Sequence, residues 1–268
     1  MRILRLVAYC LLIALFAVTL LAELFAPYSY STQFRESPSS PPSAQFPLGT
    51  DDLGRDRFSR LIYGSRVSLL LAPAAAFLSI LVAALVGGIA GYFGGWCERL
   101  IISGIDLFLS LPWLFVLLTV RAVLPLNATP WTSVIITFGL LGLLGWAVPA
   151  RVVRAGTRSL RQSEFVLQAK ATGQKESRIL RIQILPNLFP IFSAQFWVSV
   201  PAFILAEANL GLLGLGVSEP LPSWGNLLRE LESYSALQTN PWLLSPLILL
   251  VLVVGCLQVV ISNEESSL

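Results

Sequence analysis

An all-α integral membrane protein with six transmembrane helices is the fold class this 268-residue chain predicts, and three observations carry the prediction. Hydrophobic residues make up 55 % of the chain and charged ones 12 %, whereas a soluble domain carries about 25 % charged residues. Six separate segments approach the roughly 20 mostly apolar residues that cross a bilayer. Between two of them lies a polar island, "FVLQAKATGQKESRILRIQILPN" (residues 165–187), too charged to face lipid and so placed outside it.

The first span covers about Leu6 to Ala26, preceded by Arg2 and Arg5. A signal peptide has a shorter apolar region, about 7–15 residues, and a small-x-small cleavage site. The flank "AELFAP" matches that poorly, so an uncleaved anchor is expected. The second span is about Leu69 to Phe93. The third, about Leu100 to Val120, is interrupted by Asp106 and Pro112. The fourth runs from about Trp131 to Val148, the fifth from Leu188 to Ala206 and the sixth from Trp242 to Ile261. Prolines inside spans (Pro73, Pro112, Pro201, Pro246) are tolerated where neighbouring groups satisfy the freed carbonyls. Gly87, Gly91 and Gly95 stand four apart, a spacing that lets helix backbones approach, either within one bundle or between subunits.

Six spans put both termini on one side. If that side is cytoplasmic, the inner segments hold eleven Lys and Arg and the outer ones seven, in the sense of the positive-inside rule. The polar island and Cys97 then face the cytoplasm. The first outer loop, about Pro27 to Val67, begins with a Ser/Pro-rich stretch. It continues as "LGTDDLGRDRFSRLIYGSR", read as an interfacial amphipathic helix capped by Thr50 or Asp51 or as a solvated connector. The last outer loop opens with "LGLLGLGVSEPLPSWGN", rich in turn residues, followed by Leu227, Leu228, Leu231 and Tyr234 at helical spacing. This divides the chain into an anchor helix with outer loop (residues 1–67) and a core of spans 2–6 (residues 68–268).

Composition also excludes chemistry. There is no histidine, which removes Ser-His-Asp and Cys-His catalysis and imidazole-bound metals. Cys10, Cys97 and Cys256 are far apart and form no C-x-x-C pair. No phosphate loop exists; Gly173-Gln174-Lys175 is the nearest approach. A net charge of +3, with its basic residues between apolar runs, does not describe a nucleic-acid binder. Asp106 and Glu207 stand in or next to spans, where a carboxylate is either an ion site or a structural anchor. Asp106 lies seven residues from Arg99, on the same helix face.

The polar island reads as two short helices about a glycine. Ser163 caps the first, Glu164 lies in its first turn, and Gly173 ends it in a left-handed conformation. The second begins at Glu176, carries Arg178 and Arg181, and has Ile179, Leu180 and Ile182 as an apolar ridge. Pro186 either stops it or opens the fifth span. Such a knob is shaped to dock in a cleft of a soluble partner.

This stretch resembles the cytoplasmic coupling loop of ABC importer permeases: Glu-Ala-Ala, three residues, Gly, then about ten residues to Ile-x-Leu-Pro. Ala169, Gly173, Leu185 and Pro186 match in register. The blocks "PLGTDDLGRDRFSRLIYGSRVSLL", "GYFGGWCERLI", "WAVPARVVRAG" and "LGLLGLGVSEPLPSWGN" are similar to the dipeptide, oligopeptide and nickel permease subfamily, in the subunit type with a long first outer loop. The resemblance covers about residues 5 to 260. It implies the type I permease fold, with a loop of Glu164, Leu167, Gln168, Ala169, Gly173, Glu176, Leu185 and Pro186 that contacts an ATPase. It also implies a second homologous permease, two ATPase subunits that bind ATP and Mg, an extracytoplasmic solute-binding protein, and a multi-pass place in the bacterial inner membrane. No cofactor or catalytic residue falls to this chain. Leu167 and Gln168 replace the motif's Glu and first Ala, Gln183 its Ile, and Phe46 a common His; the usual charged tail is missing. Leu167 removes a carboxylate that Glu164, one turn earlier, partly replaces. The competing readings are a secondary transporter or channel subunit, an intramembrane enzyme and a structural membrane anchor. The transported solute is not encoded in any of these motifs.

Overall fold

The computed structural model describes residues 2–125, 129–232 and 240–262. Among them the regular structure is helical, apart from a single bridge between Thr50 and Asp56. Helix α1 (Arg2–Leu20) is followed by the short α2 (Ala22–Phe25), and α3 runs unbroken over 37 residues, Arg57–Phe93. Next come α4 (Gly95–Ser110), α5 (Trp113–Val123), α6 (Pro130–Leu144), α7 (Ala147–Arg161), α8 (Glu164–Ala171) and α9 (Glu176–Ile179). A π-helical turn, Leu180–Ile184, joins α9 to α10 (Leu185–Leu212). The described chain closes with α11 (Trp224–Leu228) and α12 (Ser245–Ile261).

Among the described residues, four stretches are long and apolar enough to cross a membrane: Ile3–Leu20, Arg57–Phe93, Glu176–Leu212 and Pro241–Ile261. Two bent pairs raise the number to six if each counts as one span: α4 with α5, bent by 81°, and α6 with α7, bent by 41°. The first break has a local cause. Pro112 biases the preceding residue away from the helical region, and Leu111 is extended at φ −86°, ψ 135°.

The first outer loop differs from expectation. No separate interfacial helix forms; its arginine-bearing turns are the start of α3. The cap is Asp56, whose Oδ2 accepts from the Ser59 N–H (2.8 Å) and hydroxyl (2.6 Å). Thr50 and Asp51 are spent elsewhere. Thr50 Oγ1 donates to Ser37 O, and Asp51 Oδ1 accepts from the N–H groups of Leu53 and Arg55. Phe46, at the position of the expected His, packs with Tyr28 and Phe34 in one aromatic cluster.

Contacts divide the chain into two compact units. One comprises Met1–Ala72, Arg121–Phe138 and Pro201–Leu268; the other Pro73–Val120 and Gly139–Val200. In the first, α1 packs along α12. In the second, α4 packs on α7, and Ala83, Ile105, Ala147 and Ala150 share a buried apolar cluster. There too the glycine spacing is used inside the chain. A Cβ on Gly87 would stand 2.3 Å from Ala150 O, and one on Gly91 2.5 Å from Arg154 O. Only hydrogen at those positions lets the backbone of α3 lie against α7. Gly95 takes no part in this contact; a Cβ there would meet nothing within 4 Å.

Candidate functional site

The polar island folds as a knob on the second unit. Val166, Ala169, Ile179, Ile184 and Leu188 turn inward and bury against Tyr92 of α3. Around Tyr92 the Lys170 ammonium stands 5.7 Å and the Arg161 guanidinium 5.9 Å from the ring centroid. α8 ends where the sequence places its end. Gly173 has φ +75°, the Gly173 N–H bonds to Lys170 O, and the Gln174 N–H bonds to Ala169 O. That pair of bonds is the Schellman closure, which needs a left-handed residue. Lys170 and Glu176 form an ion pair of 3.5 Å across the turn.

Two local expectations are corrected and a third is decided. Ser163 occupies the cap position of α8, but its hydroxyl donates back to Leu160 O and accepts nothing from the α8 amides. The ridge of Ile179, Leu180 and Ile182 is not presented as one surface: Ile179 is fully buried and Ile182 exposed. Pro186 does not stop the second helix: it is the second residue of α10, a position that tolerates proline, and the π turn carries α9 into α10 as one continuous stretch. Of the loop residues expected to contact an ATPase, Glu164, Leu167, Gln168, Gly173, Glu176, Leu185 and Pro186 are exposed, and Ala169 is buried. The outer face of the knob is mixed: Glu164, Gln168 and Glu176 are polar, and Phe165, Leu167, Ile182 and Leu185 are exposed apolar points.

The same unit carries a row of arginines on α7. Arg154 and Arg158 both reach Glu98 on α4, Arg154 Nε at 2.6 Å and Arg158 Nη1 at 3.2 Å. Asp106 pairs with Arg151 and not with Arg99, so helix packing across α4 and α7 sets that contact in place of spacing along α4.

The first unit holds a second network. Asp51 Oδ2 accepts from Arg55 Nε at 2.6 Å and lies 3.7 Å from Arg60 Nε, while Glu219 takes both arginines at 2.6 and 2.8 Å. Burial pulls the Arg55 proton affinity down, but Asp51 and Glu219 outweigh it, leaving the pKa above the ordinary value. Glu230 pairs with Arg57 at 2.9 Å; burial nevertheless pushes its carboxyl above the usual range, against the pull of Arg57. These groups frame an open cavity of about 270 Å³ lined by Asp51, Arg55, Glu219, Arg229 and Glu230 among others.

Glu207 is fully buried. Ser68 Oγ donates to its Oε2 (3.0 Å) and accepts from Trp224 N–H (3.1 Å), while Trp224 Nε1 donates to Ser65 Oγ (2.9 Å). The start of the last outer loop is thereby tied to α3. The helix expected through Leu231 is shorter: α11 ends at Leu228 and a 3₁₀ turn covers Arg229–Glu232. Tyr234 and the tail beyond residue 262 lie outside the described residues. Arg121, unremarked as a site in the sequence, is 1 % exposed and bonds through Nη2 to Ser133 Oγ and Gly216 O. A lone arginine at a span end reads as an interfacial anchor, so nothing in the pattern marked it. Among the described residues, no cluster of His, Cys, Asp or Glu could hold a metal ion.

These features define a polytopic helical membrane protein with a short helix-glycine-helix knob between its apolar segments. Residues 83–263 match the model of the binding-protein-dependent transport system inner membrane component, and the chain belongs to that family. It is 35 % identical over 220 residues to the dipeptide transport system permease protein DppC of Bacillus subtilis (strain 168), covering 82 % of this chain and 67 % of that protein. It is 34 % identical over 239 residues to the oligopeptide transport system permease protein OppC of the same organism, covering 89 % and 76 %. To the OppC protein of Haemophilus influenzae (strain ATCC 51907 / DSM 11121 / KW20 / Rd) it is 32 % identical over 225 residues, covering 83 % and 70 %. The chain is thus a multi-pass inner-membrane permease subunit of an ABC importer.

Proposed function

We propose that this permease carries peptides, and that residues 163–186 couple it to an ATPase subunit. The peptide assignment rests on its dipeptide- and oligopeptide-transport relatives. The coupling assignment rests on one observation: a knob whose inner side is locked into a buried cluster while Phe165, Leu167, Gln168 and Gly173 face outward. An element built this way moves with the helices behind it when its outer face is pulled. In this reading each bent helix pair is one span, giving six spans with both termini cytoplasmic. Residues 1–67 form an anchor and outer segment ahead of the core at 68–268. A second permease completes the solute pathway, two ATPase subunits bind ATP and Mg, and an external binding protein delivers the peptide. Closure of the ATPases on ATP draws the coupling loops together and turns the pathway outward; hydrolysis returns it. Leu167, where the motif has Glu, gives an apolar contact, and Glu164 on the same helix supplies the acid.

The test is co-purification. With Phe165→Asp and Leu167→Asp together, the ATPase subunits should be lost from the purified complex while the second permease is retained. Retention of the ATPases at wild-type stoichiometry would remove the loop from the coupling role. Loss of both partners would assign it to folding.

A further inference from the structure

We propose that the groove between α4 and α7 binds the phosphate headgroup of an anionic phospholipid. The groove encloses about 580 Å³ and is lined by Glu98, Arg99, Ile102, Ser103, Arg154 and Arg158, with Gly95 at its end. Arg154 and Arg158 converge on the single carboxylate of Glu98. Arg99 is exposed, and no group among the described residues bonds to it. Three guanidinium groups therefore face one carboxylate, and the groove keeps a net positive charge. Guanidinium is the side-chain group best matched to phosphate, through paired N–H donors and weak hydration.

The surroundings select a lipid over a free anion. α3 ends at Phe93 and α4 begins at Gly95, so the groove opens at the end of a membrane-crossing helix. Phe93 and Trp96 are 65 % and 75 % exposed there; a tryptophan left exposed at such a helix end sits at headgroup level. Trp96, Leu100 and Leu107 then follow at helical spacing on α4, each at least 65 % exposed. Arg99 borders this apolar stripe. A ligand that fits both features carries a phosphate at one end and acyl chains at the other. The proposal needs the chain to lie in a bilayer and is independent of the solute and of the coupling loop.

Trp96 is the reporter. The full-length protein, with the subunits that purify with it, is placed in nanodiscs of phosphatidylcholine. Each sample contains brominated phosphatidylglycerol or brominated phosphatidylcholine at the same mole fraction. Quenching of Trp96 is the difference between this protein and its Trp96→Phe variant. Each arginine near an anionic surface contributes about 1 kcal/mol, or about fivefold in occupancy. Phosphatidylglycerol should therefore quench Trp96 about fivefold more effectively than phosphatidylcholine. Arg99→Gln, which breaks no protein bond, should abolish most of that preference, and excess inorganic phosphate should not displace the lipid. Equal quenching by the two lipids would overturn the proposal, as would a preference that survives in the Arg99→Gln, Arg158→Gln double variant. Displacement by inorganic phosphate would show a free-anion site instead. Absence of quenching by either lipid would show that protein covers this face.

Discussion

Gly173 is where the coupling proposal is most exposed to test. The residue sits at φ +75°, and a Cβ built on it meets no atom within 4 Å. An added Cβ therefore costs nothing in steric contact, and what remains is the left-handed backbone, about 1–2 kcal/mol for a residue with a side chain. That is a factor of roughly 5–30 in the population of the closed turn, with valine at the upper end because β-branching restricts it further. The inner side of the knob stays anchored through Val166, Ala169 and Ile179, so the bundle itself should hold. Gly88→Ala is the matched control: Gly88 lies inside α3, its added methyl also meets nothing within 4 Å, and no φ constraint applies. The assay is ATP hydrolysis by the reconstituted complex with and without the solute-binding protein, beside the yield of the assembled complex. Gly173→Val should lower stimulated hydrolysis several-fold at unchanged yield, and Gly88→Ala should leave it intact. Full stimulation in Gly173→Val would refute the reasoning, and loss of the permease pair would move Gly173 from coupling to folding.

Further outcomes follow from other contacts. Gly91→Leu forces a Cβ to within 2.5 Å of Arg154 O and 2.7 Å of Thr157 Cβ; overpacking against backbone costs about 1–3 kcal/mol or more, visible as a lower unfolding temperature in detergent. Ser68→Ala and Trp224→Phe should both destabilise. The first leaves the buried Glu207 Oε2 without the Ser68 hydroxyl, at about 1–3 kcal/mol; the second forfeits the bond to Ser65 Oγ, at about 0.5–1.5 kcal/mol, and adds the cavity left by the smaller ring of a fully buried side chain. The raised pKa of Glu230 contributes stability that is complete below the ordinary carboxyl value of 4.5 and is lost as pH rises through the folded value. Glu230→Gln should therefore flatten the fall in unfolding temperature as pH rises above the ordinary carboxyl value; an unchanged slope would clear Glu230 of that role. Cys97 should resist a membrane-impermeant thiol reagent on intact cells and react in inverted vesicles, and labelling from outside would overturn the proposed orientation.

The apolar segments were legible because bilayer thickness imposes a length that the eye can count. Details that depend on register were not. Thr50, Asp51, Asp52 and Asp56 are all competent caps in the sequence, and the choice of Asp56 follows from the turn that Thr50 and Asp51 close upstream. Pro112 announced an interruption, but only the extended backbone of Leu111 sets the 81° bend. In the knob, Gly173 was readable because few residues take a left-handed turn, and the structure has it there. The ridge is not one surface because Ile179, at the end of α9, is buried, and the π turn that follows over Leu180–Ile184 shifts the phase and leaves Ile182 outside. Arg121 could not be told from a snorkelling arginine until Ser133 and Gly216 were seen around it.

The bare seam of α3 also sets a problem of timing. Its glycines have their partner only when α7 exists, and Ala147 is synthesised well after Phe93. At about 5–20 residues per second, the interval is roughly 3–10 s. Through that interval the nascent chain shows the membrane a small-residue face whose chemistry suits any similar helix. Another copy of α3, emerging from a neighbouring ribosome on the same message, carries the same face. The contact that closes the finished bundle is thus the one through which unfinished chains can pair wrongly, and the order of helix insertion decides between the two.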